Sequence, residues 1–158
     1  MRTLLLALVC FAPLGCSAGQ LRGTVSHVTD GDTVWVRPDD GTPAQQVRIE
    51  GIDAPEICQV FGRQSRDALA QQLLRKRVTL LTRGQDDYRR TVARVHVGRA
   101  DVGKWMVSHG YAWSYKFRSD SGPYRRDELH ARSQRLGLWD EGDPERPRDF
   151  RVRHGSCH

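Results

Sequence analysis

Two stretches decide how this chain is read: Thr29-Asp30-Gly31-Asp32-Thr33-Val34, and then Val47-Arg48-Ile49-Glu50-Gly51-Ile52-Asp53-Ala54-Pro55-Glu56. Asp30-Gly31 is a turn signal, and the run at 33–37 is rich in β-formers. Residues 38–43 contain Asp-Asp-Gly and predict a hairpin loop, with the return strand at 46–49 and a second turn at 51–55. Asp32, Asp53 and Glu56 therefore sit at or beside turns, with Arg48 on the strand between them. Gathered carboxylates repel one another, so a fold that collects them supplies a cation. An arginine beside a bound cation leaves room for an anion, and a phosphodiester satisfies both.

Working outward, residues 21–28 predict the strand that precedes the first turn. From Phe61 the periodicity becomes helical, with Ala68, Leu69, Ala70, Leu73 and Leu74 repeating at helical spacing. Residues 77–82 predict a strand, 83–89 a charged loop, and 91–97 a valine-rich strand. Asp101 is placed to cap a helix over 102–109 that stops at Gly110. A last helix is expected over 124–136, stopping at Gly137. Beyond Trp139 the chain is polar, carries Pro144 and Pro147, and predicts an extended tail. Short strands with one intervening helix and two following helices define an α+β chain. The expected fold is a small five-stranded antiparallel barrel of the oligonucleotide/oligosaccharide-binding (OB) type with about three helices.

The 158 residues suffice for one ordinary domain. Residues 1–18 differ from the rest: a charged start at Arg2, an apolar run from Leu4 to Leu14, and the small residues Gly15-Cys16-Ser17-Ala18. This is the layout of a secretory signal peptide. Two processing routes are open. Cleavage after Ala18 would release a soluble protein. Alternatively, Pro13-Leu14-Gly15-Cys16 resembles a bacterial lipoprotein signal, with Cys16 lipidated and anchored to a membrane. Either route predicts export, to the periplasm or the medium. The domain is then expected over 19–140, with a tail at 141–158.

Of the four cysteines, Cys58 and Cys157 remain as an even pair in an oxidising compartment. A bond between them would close a loop of about 100 residues, worth roughly 4–5 kcal/mol on chain-entropy grounds. It would also tie the tail close to Glu56. The net charge is +6, of which Arg2 contributes one. A basic chain with a local acidic cluster suits a polyanionic partner. The six histidines are scattered, and no His/Cys set has the spacing of a zinc site.

Four segments together resemble the thermonuclease family, of which staphylococcal nuclease is the best-known member: TDGDTV (29–34), VRIEGIDAPE (47–56), DDYRRTVARV (86–95) and GYAWSYK (110–116). The similarity runs over about residues 21–139 and keeps the order and spacing of the motifs. It implies a Ca²⁺-dependent nuclease acting on DNA and RNA, with products bearing a 3′-phosphate. Asp32 and Asp53 are similar to the carboxylates that hold the ion, and Ala54 to the residue whose main-chain carbonyl joins them. Asp30 resembles an acidic residue behind those ligands. Glu56 aligns with the proposed general base, and Arg48 and Arg90 with the two phosphate-binding arginines. Tyr88, Trp113 and Tyr115 occupy positions of aromatic residues that line the nucleotide pocket. Arg89 departs from the pattern, standing where the family has a glycine suited to a special turn.

The chemistry agrees with this set. A hard dication offsets the charge that builds on phosphoryl oxygens, and carboxylates suit it. Arginine forks grip the remaining oxygens and stay charged. Glu56 would hold or deprotonate the attacking water, although an ordinary glutamate, pKa about 4.3, is a weak base at neutral pH. The competing reading is a non-catalytic nucleic-acid-binding OB barrel, which loss of the carboxylates would favour; here all three are present. Nothing in the chain calls for more than a monomer.

Overall fold

A computed structural model describes residues 19–115, 118 and 121–157. The expected signal peptide, Cys16 and Lys116 lie outside these residues. Valine-rich alternation builds the barrel. β1 (Gln20–Val28), β2 (Thr33–Pro38) and β3 (Gln45–Ile49) form an antiparallel meander. β4 (Ile52–Asp53) follows, then helix α1 (Gly62–Leu73), β5 (Arg77–Gln85) and β6 (Thr91–Val97). β5 pairs antiparallel with both β1 and β6, and β3 pairs parallel with β6. That last pairing closes the five strands into a barrel. The antiparallel expectation thus holds for every pair in the barrel but the closing one.

Inward residues of all five strands share one core: Val25, Val34, Val36, Val47, Ile49, Leu80 and Val95 are almost fully buried. Leu69 and Leu73 of α1 cap one side of it, at the helical spacing read from the sequence. β7 (Ala100–Asp101) leads into helix α2 (Val102–Ser108), where the Asp101 side chain accepts from the Lys104 N–H at 3.0 Å as expected of a cap. β8 (Trp113–Ser114) pairs with β4, and helix α3 (Arg125–Ser133) packs on α2.

The tail differs from the sequence expectation. After a short 3-10 turn at Gly137–Trp139, residues Pro147–His154 form a helix, α4. Pro147, read as a breaker, stands in its first turn, where a missing N–H costs nothing and the fixed φ suits a helix. A disulfide joins Cys58 to Cys157, with the Cα atoms 6.0 Å apart across a sequence separation of 99.

Candidate active site

Strand register assembles the site. Thr33 on β2 lies opposite Arg48 on β3, which brings Asp32 beside that arginine. Parallel pairing of Val47 with Thr91 sets Arg90 at the adjoining edge. Pairing of Asp53 with Trp113 fixes β4. Gly31 matters for closeness: a Cβ there would lie 2.0 Å from Ser65 Oγ and 2.7 Å from the Ala54 Cβ, so only glycine lets the first turn nest against Ala54 and α1.

Asp32 and Asp53 are both buried, at 7% and 3% exposure, and Arg48 spans them. Its Nη1 lies 3.3 Å from Asp32 Oδ2 and its Nη2 3.2 Å from Asp53 Oδ1. Asp32 is also bonded by the Thr33 hydroxyl at 2.9 Å and by the Ala54 N–H at 3.1 Å. Asp30 accepts from the Asp32 N–H at 3.0 Å, which sets it directly behind the pair.

Arg90 is held by Asp86. Its Nε donates to Asp86 Oδ2 at 2.8 Å, and its backbone N–H to Asp86 Oδ1 at 2.9 Å. Arg90 Nη1 reaches the Thr33 hydroxyl at 3.5 Å, linking it to Asp32. Arg89 has φ 63°, in the left-handed region favoured by glycine. The special turn inferred from the sequence is therefore present, with an arginine in the glycine's place. Tyr88 is 76% exposed, and its ring stacks on the Arg90 guanidinium at 5.2 Å.

The other aromatic positions differ. Tyr115 is half-buried, and its backbone N–H donates to the Gly51 carbonyl. Trp113 is 4% exposed and meets Trp139 edge-on at 5.2 Å, within a small core of Ala131 and Leu138. The expectation that Trp113 lines the nucleotide pocket is corrected: its ring is committed to packing, because Trp139 offers an apolar partner.

One residue in the site was not foreseen. Arg151 of α4 places Nη1 2.8 Å from Glu56 Oε1 and 3.3 Å from Asp53 Oδ1. Its Nη2 lies 3.4 and 3.3 Å from the two Asp53 oxygens. A sequence signal existed in Pro147 followed by a run with Arg151, Arg153 and His154 in the last turn, the charge pattern of a helix end.

Electrostatics follow from burial. Asp30 is pushed up to about 7, chiefly by burial and secondly by the charge of Asp32. Burial also raises Asp53, an effect that Arg48 and Arg151 oppose without cancelling. For Arg48, burial disfavours the charge, but Asp32 and Asp53 outweigh it and leave the guanidinium firmly charged. Burial would raise Asp86, yet the hydrogen bonds from Arg90 hold it below the usual carboxylate range.

Among the described residues no three His, Cys, Asp or Glu side chains converge as a ready cage for a metal. The available donors are the carboxylates of Asp32 and Asp53 with the adjacent Ala54 main chain. This all-oxygen set fits a hard dication that completes its coordination with water and substrate. No helix among the described residues is long and apolar enough to cross a membrane.

A barrel of this kind, with two buried carboxylates, a third beside them and arginines converging on them, defines a nuclease, and the comparisons agree. Residues 46–141 match the family model described as staphylococcal nuclease homologue. An uncharacterized endonuclease of Haemophilus influenzae is 34% identical over 136 residues, covering 86% of this chain and 76% of that one. An uncharacterized endonuclease of Escherichia coli O157:H7 is 36% identical over 142 residues, covering 89% and 90%. A micrococcal nuclease of Shigella flexneri is 34% identical over 142 residues, covering 82% and 80%. The chain belongs to the staphylococcal nuclease family and is a hydrolytic nuclease acting on nucleic acid. The non-catalytic alternative is not favoured.

Proposed function

We propose that this protein is an exported, monomeric, Ca²⁺-dependent nuclease that hydrolyses phosphodiester bonds of both DNA and RNA. Asp32, Asp53 and the Ala54 main-chain carbonyl would hold the ion, with Asp30 behind them. The ion would offset negative charge on a phosphoryl oxygen and polarise the attacking water. Glu56 holds that water and accepts its proton as the new P–O bond forms, while the P–O bond to the 5′ oxygen of the next nucleotide breaks and that oxygen takes a proton from solvent. Arg48 and Arg90 grip the remaining phosphoryl oxygens and tighten as charge accumulates, an effect often worth about 3–4 kcal/mol per preorganised donor. Tyr88 and Tyr115 flank the bound nucleotide. Residues 1–18 direct export, ending in a soluble protein or in a lipoprotein anchored through Cys16.

The observation that carries this reading is the Arg48 fork held between the two buried aspartates, at 3.3 and 3.2 Å. It joins an anion-gripping group to a cation-holding pair in one place. The test is incubation of the oxidised protein with single-stranded DNA and with RNA, first in calcium and then in EDTA. Cleavage of both in calcium alone is the expected result. Cleavage undiminished in EDTA would remove the ion from the account, and cleavage of one polymer alone would narrow the substrate.

A further inference from the structure

We propose that Arg151 is a third phosphate-contacting arginine of this site, delivered by the C-terminal helix and held there by the disulfide; the proposal rests on the reading of Arg48 as a phosphate-binding group.

The tail is fastened to the segment that carries the carboxylates at three points. Ahead of α4, the buried Gln59 donates from Nε2 to the Glu145 carbonyl at 2.7 Å and accepts from the Glu56 N–H at 3.2 Å. Beyond α4, Cys157 is bonded to Cys58. Between these anchors, Arg151 reaches Asp53 and Glu56. These two anchors bracket the one arginine of α4 that reaches the carboxylates.

Arg151 stands in the same relation to the carboxylates as Arg48. Both guanidinium groups meet Asp53 Oδ1, at 3.3 and 3.2 Å, and both rest on acidic side chains. The two guanidinium charges repel each other across a single carboxylate, and a second anion that contacts both relieves that repulsion further. The Arg151 side chain is 32% exposed, so a phosphate can reach its guanidinium from solvent. Its fork suits two phosphoryl oxygens, which an ammonium would not match.

The test compares wild type with Arg151→Gln and Arg151→Lys, using Arg148→Gln, an exposed position on the same helix, as a control. Two readouts are taken in calcium: turnover of single-stranded DNA, and equilibrium binding of a nucleoside 3′,5′-bisphosphate, which carries phosphate charge but no cleavable diester. Calorimetric titration with calcium alone and thermal melting accompany both. Arg151→Gln is expected to weaken bisphosphate binding and to lower kcat by about 100-fold, the scale for losing one preorganised donor. Arg151→Lys should recover only part of each, and Arg148→Gln should match wild type. Bisphosphate affinity and kcat that hold or rise in a folded Arg151→Gln, with tighter calcium binding, would overturn the proposal and make Arg151 a plug that the ion displaces. A wild-type protein that binds the bisphosphate but cleaves nothing would count against the nuclease mechanism alone. The binding comparison would still decide the role of Arg151.

Discussion

Arg48 and Arg151, one from a barrel strand and one from the C-terminal helix, meet at the same atom, Asp53 Oδ1, at 3.2 and 3.3 Å. Arg151 Nη1 also meets Glu56 Oε1, at 2.8 Å. The carboxylate assigned to the water and the one assigned to the ion are thus bridged by a single guanidinium.

Glu56→Gln keeps the size of the side chain and removes its capacity to accept a proton. Turnover of single-stranded DNA should fall by about 100-fold or more, the usual range for loss of a general base. Calcium-dependent binding of the nucleoside bisphosphate should persist. Unchanged turnover would remove Glu56 from the chemistry.

Arg89 holds a left-handed conformation at φ 63°, which costs an L-residue with a Cβ about 1–2 kcal/mol. Arg89→Gly should raise the melting temperature by roughly 3 °C for a chain of this size. Asp86 independently fixes the neighbouring Arg90 through two hydrogen bonds, so turnover should stay within about twofold. A lower melting point would mean that the arginine side chain supplies something the turn needs.

Reduction of the disulfide should destabilise the fold by about 4–5 kcal/mol on chain-entropy grounds. Cys58→Ser with Cys157→Ser should reproduce the loss without reductant. Denaturant titration of the oxidised, reduced and double-variant proteins checks this, and three superimposed transitions would show that the closed loop adds nothing.

Asp30 gives a pH dependence of defined sign. Its folded pKa is raised to about 7, from an ordinary 3.8. Between those values the folded state keeps a proton that the unfolded chain gives up, so stability falls as pH rises from about 4 to 7. In EDTA, Asp30→Asn should flatten that decline, measured by denaturant titration at several pH values. A slope equal to wild type would place the buried proton elsewhere.

Most of the barrel was legible because its signals are local. A run of β-formers marks β2, the preceding hairpin loop marks β3, valines mark β6, Asp101 caps α2, and the two acidic turns lie beside strands whose register brings Asp32 to Arg48. The parallel closure of β3 on β6 was not legible, since nothing local records which distant edge a strand will meet. Trp113 was misplaced for a similar reason: its environment depends on Trp139, which sits on a separate element. The tail was misread because Pro147 carries two meanings, a helix breaker inside an element and a favoured first residue at its start. Arg151 followed it out of view, lying beyond every motif that carried the resemblance. Cys58 did point to Cys157 and so drew the tail toward Glu56, but nothing in Asp53 or Glu56 indicated that an arginine of that tail would reach them.

The bond between Cys58 and Cys157 also has a temporal meaning. Cys157 is synthesised 99 residues after Cys58, so every residue of the barrel has been made before the fastening of Arg151 can be completed. In a reducing compartment the covalent part of that fastening does not form. With Arg151 as a working part of the site, a chain still surrounded by the nucleic acid of the cell that made it would be an unfinished catalyst. Oxidation would then serve as the last step of its assembly, protecting the producer by the order of events rather than by a separate inhibitor.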